Sequence, residues 1–144
     1  MSNDVIQQPF EIEIDVKESD IDLLGHVNNV VYLRWVQDAA VAHWTAGATK
    51  EEQENIFWVV TRHEIDYKRS AIQSDTIIAK TWIGSAEKWS FERFTELRRK
   101  SDQKILAKAR TLWCPINSQN RRPITLTDKH YKRFSTNFNI SIKR

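Results

Sequence analysis

The sequence predicts an α+β fold in which one antiparallel sheet of five strands wraps around one long buried helix. Three observations carry this. Residues 10–16 (FEIEIDV) alternate apolar and acidic side chains without a break. An almost unbroken apolar run at residues 30–46 reads as a helix with only a narrow polar stripe. Four strand patterns then follow one another with no second long helix between them. A helix that is apolar on most sides must be covered on most sides, and a single curled sheet is the economical cover.

The elements follow in order. Phe10, Ile12, Ile14 and Val16 against Glu11, Glu13 and Asp15 have the period of two of a half-buried strand. A polar loop, 18–29, comes next. Asn28 or Asn29 can cap the helix that follows, because a short side-chain oxygen satisfies a free N–H of the first turn. That helix is expected to run to about Ala46 and stop at Gly47, a suitable C′ residue. Arg34, Gln37, Asp38 and Thr45 form its polar stripe. Its length of about 25 Å, from the rise of 1.5 Å per residue, is enough to cross a sheet. TKEEQEN reads as a charged linker. The remaining strands are Ile56–Tyr67, Thr76–Ile83 (ended by Gly84), Trp89–Arg99 (with KSDQ as its turn) and Ile105–Cys114 (ended by Pro115). Thr127 can cap a short helix through Phe134. One domain over residues 5–135 is expected, with 136–144 as a frayed tail.

Composition narrows the functional classes. The 144 residues are 40% hydrophobic, with six Trp and six Phe, which excludes a disordered chain. A single cysteine, Cys114, excludes a disulfide framework and a multi-cysteine zinc site. Cys114 itself reads as a small buried hydrophobe. It fits a reducing compartment, and a cytoplasmic location is expected. The start, MSNDVIQQPF, lacks the basic and apolar regions of a signal peptide. The longest apolar-rich stretch carries Arg34, Gln37, Asp38 and His43, and is no membrane span. The net charge is +3, but the basic residues are scattered in small groups. That is a solvated surface rather than a nucleic-acid interface, and a phosphate-bearing small ligand suits it better. No nucleophile elbow, phosphate loop or dinucleotide fingerprint is present. His26, His43, His63 and His130 have no metal-ligand spacing, and no metal or cofactor is expected.

The loop carries the chemistry. ESDIDLLGHVNNVVYLRW sets Asp20, Asp22, Gly25, His26, Val27, Asn28, Asn29, Tyr32 and Trp35 at the junction of the first strand and the helix. This resembles the D-x-D-x-x-G-H-V-N-N-x-x-Y-x-x-W type signature of the 4-hydroxybenzoyl-CoA thioesterase-like family, whose members have the hotdog fold. The resemblance extends over about residues 8–134 and includes VVTRHEIDYKRSAIQSDTI. It implies an acyl-CoA thioesterase that releases free acid and coenzyme A. It also implies a carboxylate at Asp22, acting as base or nucleophile, and an oxyanion donor at the backbone N–H of Asn29. His26 matches relatives that use a histidine beside the aspartate, including the plant acyl-carrier-protein thioesterases. Those have an asparagine two residues after the aspartate, where this chain has Leu24. His26 orients substrate or water, or holds the loop. Asp20 reads as a loop-holding residue and Gly25 as a tight turn or close approach.

Elementary chemistry agrees with this reading. A helix N-terminus presents free N–H groups and roughly half a positive charge, which suits the oxyanion of an attacked thioester. A thiol with a pKa of about 8.5 leaves as thiolate with little help, so one carboxylate and one helix end suffice. In the family pattern, Lys68, Arg69 and Lys88 are the candidates for coenzyme A phosphates. Leu23, Leu24, Trp35 and Trp58 are candidates to line the acyl pocket. The resemblance also implies an edge-to-edge homodimer, or a dimer of dimers. Two alternatives stay open: a non-enzymatic acyl-thioester binding domain, and another hotdog enzyme such as an acyl-carrier-protein thioesterase or a dehydratase. A dehydratase would pair its histidine with an acid on the long helix, where Asp38 is the only one and lies on the polar stripe, which argues against that enzyme.

Overall fold

The computed structural model describes residues 9–136 and 141–143. Residues 1–8, on which the reading of the N-terminus rests, and part of the tail lie outside the described residues. Strand β1, Phe10–Asp15, buries Phe10, Ile12 and Ile14 as its alternation requires. A short 3-10 turn, Glu18–Asp20, leads into the polar loop. Helix α1 is Asn29–Gly47, capped by Asn28, whose Oδ1 accepts the Val30 N–H at 3.1 Å. Its C-terminus differs from the expectation. Gly47 is the last helical residue rather than a left-handed C′, and the chain leaves through Ala48, whose N–H donates to the Trp44 carbonyl at 2.8 Å.

The expected charged linker is a helix, α2, Lys50–Asn55. Its sequence buries nothing, but Thr49 and Glu52 close a reciprocal capping box: Thr49 Oγ1 accepts the Glu52 N–H at 3.0 Å, and Glu52 Oε1 accepts the Thr49 N–H at 2.8 Å. Strands β2 (Ile56–Tyr67), β3 (Thr76–Glu87), β4 (Ser90–Arg99) and β5 (Ile105–Asn117) follow. Two of them outrun the sequence estimate. β3 passes Gly84 through an irregularity between Ile83 and Ala86; a Cβ at Gly84 would lie 2.3 Å from Glu92 Oε1 and 2.7 Å from Phe94 Cε2, so a side chain there would have to displace both. β5 continues through Pro115. The Pro115 carbonyl accepts from Ile124, away from β2, so the missing N–H falls on the side where no β2 bond is lost. Helix α3, Asp128–Thr136, comes last, then β6, Ser141–Lys143, parallel to β1 in a tail to which sequence assigned no element.

The sheet order is β2-β5-β4-β3-β1-β6, and its five long strands are antiparallel throughout. Helix α1 lies on the concave face, where Tyr32, Trp35, Val36 and Ala39 pack into the core with Phe10, Ile12, Ile77 and Leu97. This is the hotdog arrangement. β2 forms one edge of the sheet and runs antiparallel to α1. Tyr67, at its end, donates its hydroxyl to the Asn29 carbonyl (3.2 Å), and Trp58, near its start, meets Trp44 with ring centroids 5.4 Å apart. The helix keeps one open stripe on this side, with Val30 70% and Val41 49% exposed. Among the described residues no helix is long and apolar enough to cross a membrane.

Candidate active site

The loop between β1 and α1 is a hairpin closed by the Ile21–Val27 bridge. Asp22 holds its tip together. Its N–H donates to the His26 carbonyl at 2.8 Å, and its Oδ1 accepts the N–H groups of Leu24 (2.9 Å) and His26 (3.3 Å). The carboxylate is exposed, and among the described residues nothing bonds its Oδ2. Gly25 adopts φ +81°, and a Cβ there would meet nothing within 4 Å, so glycine serves the turn rather than a close approach. His26 is exposed beside Asp22.

Asp20 has the opposite setting. It is 2% exposed; its Oδ1 takes the Arg34 guanidinium at 2.6 Å, and its Oδ2 the Lys17 N–H at 3.0 Å. Its carbonyl accepts the Asn28 N–H at 2.9 Å. Asp20 therefore ties the loop to the first turns of α1. The Asn28 side chain is spent on the cap, and the Asn29 N–H is one of those that helix geometry leaves without an intrahelical partner. Asp22, Gly25, His26 and Asn29 thus share one end of the molecule.

Lys68 and Arg69 lie at the same end, directly after Tyr67. Their N–H groups donate to the Leu106 carbonyl at 2.7 and 3.1 Å, and Arg99 holds the turn beyond them through Ser70 and Asp75. The loop joins this turn where the Val27 N–H donates to the Ala71 carbonyl (2.9 Å), and the buried Tyr32 hydroxyl accepts the Ala71 N–H at 2.8 Å. Burial raises the Tyr32 pKa. Lys88 is not brought to this end within the chain. It stands in the β3–β4 turn, its Nζ 4.4 Å above the Trp89 ring, beyond the row Ala86–Phe91–Trp113–Val60 at the Trp58 end of the sheet.

A cavity of about 630 Å³, counting its open mouth, lies at that other end. Trp44, Trp58, Phe91, Trp113 and Phe134 supply its aromatic walls, and α3 forms part of its lining through His130 and Phe134. Of the four residues expected around an acyl pocket, only Trp58 lines it. Trp35 is 1% exposed in the core, and Leu23 and Leu24 stand bare on the loop tip. From Asn29 to Trp44 the helix advances about 22 Å, so the cavity and Asp22 occupy opposite ends of one chain. Sequence reasoning missed most of the cavity, including Arg93. Arg93 lies on the concave face, and its Nη1 lies 2.9 Å from His43 Nδ1 and 3.2 Å from Thr81 Oγ1. His63, also on this face, reaches Thr111 Oγ1 (3.1 Å) and Gln37 Nε2 (3.4 Å).

Comparison with known proteins gives a consistent picture. The model of the Thioesterase-like superfamily matches residues 16–134. A palmitoyl-acyl carrier protein thioesterase from Gossypium hirsutum is 26% identical over 114 residues, 78% of this chain and 27% of its own length. The chain spans between 27% and 31% of the length of the curated relatives it matches. Among solved structures, a 1,4-dihydroxy-2-naphthoyl-CoA thioesterase from Synechocystis superposes with a TM-score of 0.76 at 18% identity, covering 88% of this chain and 95% of that one. A Staphylococcus aureus protein solved in complex with CoA gives 0.76 at 18% identity, covering 96% and 93%. These likenesses are to the fold.

Proposed function

The chain belongs to the thioesterase-like superfamily, and from that membership we propose that it is an acyl-CoA thioesterase, cleaving an acyl-coenzyme A to free acid and coenzyme A. The observation that carries the reading is the Asp22 turn: an exposed carboxylate, oriented by two backbone N–H groups through Oδ1 and open at Oδ2, at the N-terminus of α1. In the reaction, water adds to the thioester carbonyl carbon while Asp22 takes its proton; alternatively Asp22 attacks the carbon itself and water resolves the anhydride. The oxyanion is received by the Asn29 N–H at the positive end of the helix. The C–S bond then breaks and the thiolate leaves. His26 stands beside the carboxylate to orient water or substrate.

Assembly completes this site. Among the described residues β2 leaves its outer edge unpaired, and long unpaired edges favour pairing. We infer that two copies join edge to edge through β2, antiparallel about a two-fold axis. Because β2 has Tyr67 beside Asn29 and Trp58 beside Trp44, such pairing sets the Asp22 end of one protomer opposite the partner's cavity. It also carries the partner's Lys88 to the side where Lys68 and Arg69 lie, giving coenzyme A phosphates cations from both chains.

A second reading, with an acyl-carrier protein as thiol partner, is favoured by one observation: the curated relative named above is a palmitoyl-acyl carrier protein thioesterase. Paired assays on acyl-CoA and acyl-carrier-protein thioesters of the same chain separate the two. The test of the common core is Asp22→Asn, which preserves the turn and removes the carboxylate. Turnover should fall at least about a hundredfold with the melting curve unchanged. Hydrolysis at the wild-type rate would remove Asp22 from the mechanism.

A further inference from the structure

We propose that the aromatic cavity selects acyl groups whose far end carries a carboxylate, bound by Arg93. The proposal rests on the thioesterase reading and names the substrate class of that site.

The argument begins with charge. Arg93 projects from β4 onto the concave face beneath α1, where it is partly buried, and is one of the residues lining the cavity. A cation drawn even partly out of water is ordinarily matched by a carboxylate, because its desolvation is costly without one. Among the described residues no carboxylate lies within ion-pair distance of Arg93. Glu92, which lines the cavity, is engaged with Arg110 at 2.5 Å, and Glu52, which meets the lining residue His130 at 2.7 Å, also pairs with Arg133. The contacts of Arg93 are neutral ones, to His43 Nδ1 and the Thr81 hydroxyl, both through Nη1. Burial and the Arg93 charge push the His43 pKa down to about 2, so His43 is a neutral acceptor that cannot compensate the cation. Burial lowers the Arg93 pKa only to about 10, which leaves it charged at neutral pH. A guanidinium has five N–H groups in a fork suited to a carboxylate. The Nε and Nη2 donors of Arg93 have no partner among the described residues.

A second observation points the same way. The indole N–H groups of Trp58 and Trp113 are buried and make no hydrogen bond, and both residues line the same cavity. Buried donors normally find acceptors, and leaving one unmet is costly. Two buried indole donors and a partly buried guanidinium therefore face the cavity without an acceptor, while most of the remaining wall is apolar. The missing component is an acceptor, and an anion answers the guanidinium as well. A chain with methyl at its end would satisfy none of them. The geometry of the mouth agrees. Val41 lines the cavity and also lies on the open stripe of α1, so the cavity opens on the side where β2 pairing would bring the partner's Asp22 loop.

The test uses the full chain and matched acids: hexanedioate, octanedioate and decanedioate against hexanoate, octanoate and decanoate. Trp44, Trp58 and Trp113 report binding by fluorescence. At least one diacid should bind tenfold or more tightly than the monoacid of its length, and Arg93→Met should bring that ratio to within twofold of one. Arg93→Lys should retain part of it. The corresponding coenzyme A monothioesters should show the same ranking in kcat/KM. A ratio at or below one in the wild type overturns the proposal, and so does a ratio that survives Arg93→Met. Should Arg93→Met fail to fold, the wild-type ratio decides alone. Binding of free acids needs no turnover. Diacid preference without hydrolysis of any thioester sinks the thioesterase reading and keeps the subsite; hydrolysis with no diacid preference does the reverse.

Discussion

Asp20 and Asp22 are two residues apart and carry the same charge, yet burial separates their work. Asp20, 2% exposed and paired with Arg34, holds the loop on the helix; Asp22, exposed, shapes its own turn and keeps one oxygen open. Stability measurements should separate them. Asp20→Ala leaves the Lys17 N–H and Arg34 without their acceptor and should cost about 1–3 kcal/mol in urea unfolding. Asp22→Asn, whose amide oxygen can still accept the turn's N–H groups, should stay within about 0.5 kcal/mol. His43 gives a pH signature. Its folded pKa, about 2, lies below the ordinary value near 6.5. In this window the unfolded chain binds a proton that the folded chain refuses, so stability is full above pH 6.5 and lost as pH falls. Between pH 6.5 and 5 the loss should approach about 2 kcal/mol. His63, also lowered by burial, adds in the same direction. His43→Gln should show a shallower slope over the same range in thermal melts.

At the scale of elements, α2 and α3 act together on the end of α1. Arg133 of α3 donates to the Gly47 carbonyl at 3.3 Å and pairs with Glu52 of α2, which also meets His130. Burial pushes the Glu52 carboxyl up, but hydrogen bonds from Arg133 and Thr49 outweigh it and hold its pKa at about 2. The stability it contributes is present above its ordinary value and lost as pH falls toward 2. Glu52→Gln should therefore destabilise the chain by about 1–2 kcal/mol at pH 7 and flatten the acid limb below pH 4.5. Because His130 and Phe134 of α3 line the cavity, the same variant should raise KM for the preferred thioester more than it lowers kcat. The turn after β2 carries the candidate cations Lys68 and Arg69. Replacing Lys68, Arg69 and Lys88 with Ala should raise KM for coenzyme A esters, and more so at low ionic strength, since exposed charges are screened by salt. An unchanged KM would assign the thiol portion to a carrier protein instead.

For the whole molecule, the free β2 edge and the open stripe of α1 lie on one side of the chain. Light scattering at micromolar concentration should find at least twice the 17.0 kDa chain mass. Activity per chain should fall on dilution in step with dissociation. A fully active 17.0 kDa species would exclude the shared site. A mixed dimer offers a sharper check. Asp22→Asn and Arg93→Met chains, co-expressed and purified as a heterodimer, pair one intact carboxylate with one intact cavity. If the site is shared, activity on carboxylate-ended thioesters should recover to about half that of the wild type.

Local chemistry was enough to read the strand alternations, a cap at Asn28 or Asn29, and the crowding of polar residues at the head of an apolar helix, because each is a relation among residues within about one turn or one strand. It was enough, too, to set Asp22, Gly25, His26 and Asn29 side by side. The Thr49–Glu52 capping box was equally local, and its signature was present but hidden in a run of charge. Other facts depended on distance in three dimensions. Which aspartate is buried was decided by Arg34, fourteen residues from Asp20. Whether Lys88 joins Lys68 and Arg69 was decided by the length of β3. The cavity draws on residues from 40 to 134 across α1, four strands and α3, and no window of sequence contains it. In SFERFTELRR, alternation alone sets Phe91, Arg93, Thr95 and Leu97 on one face and Glu92, Phe94, Glu96 and Arg98 on the other. Each face mixes apolar and charged side chains, so only the packing of α1 over the sheet could decide that the cation drawn beneath the helix is Arg93.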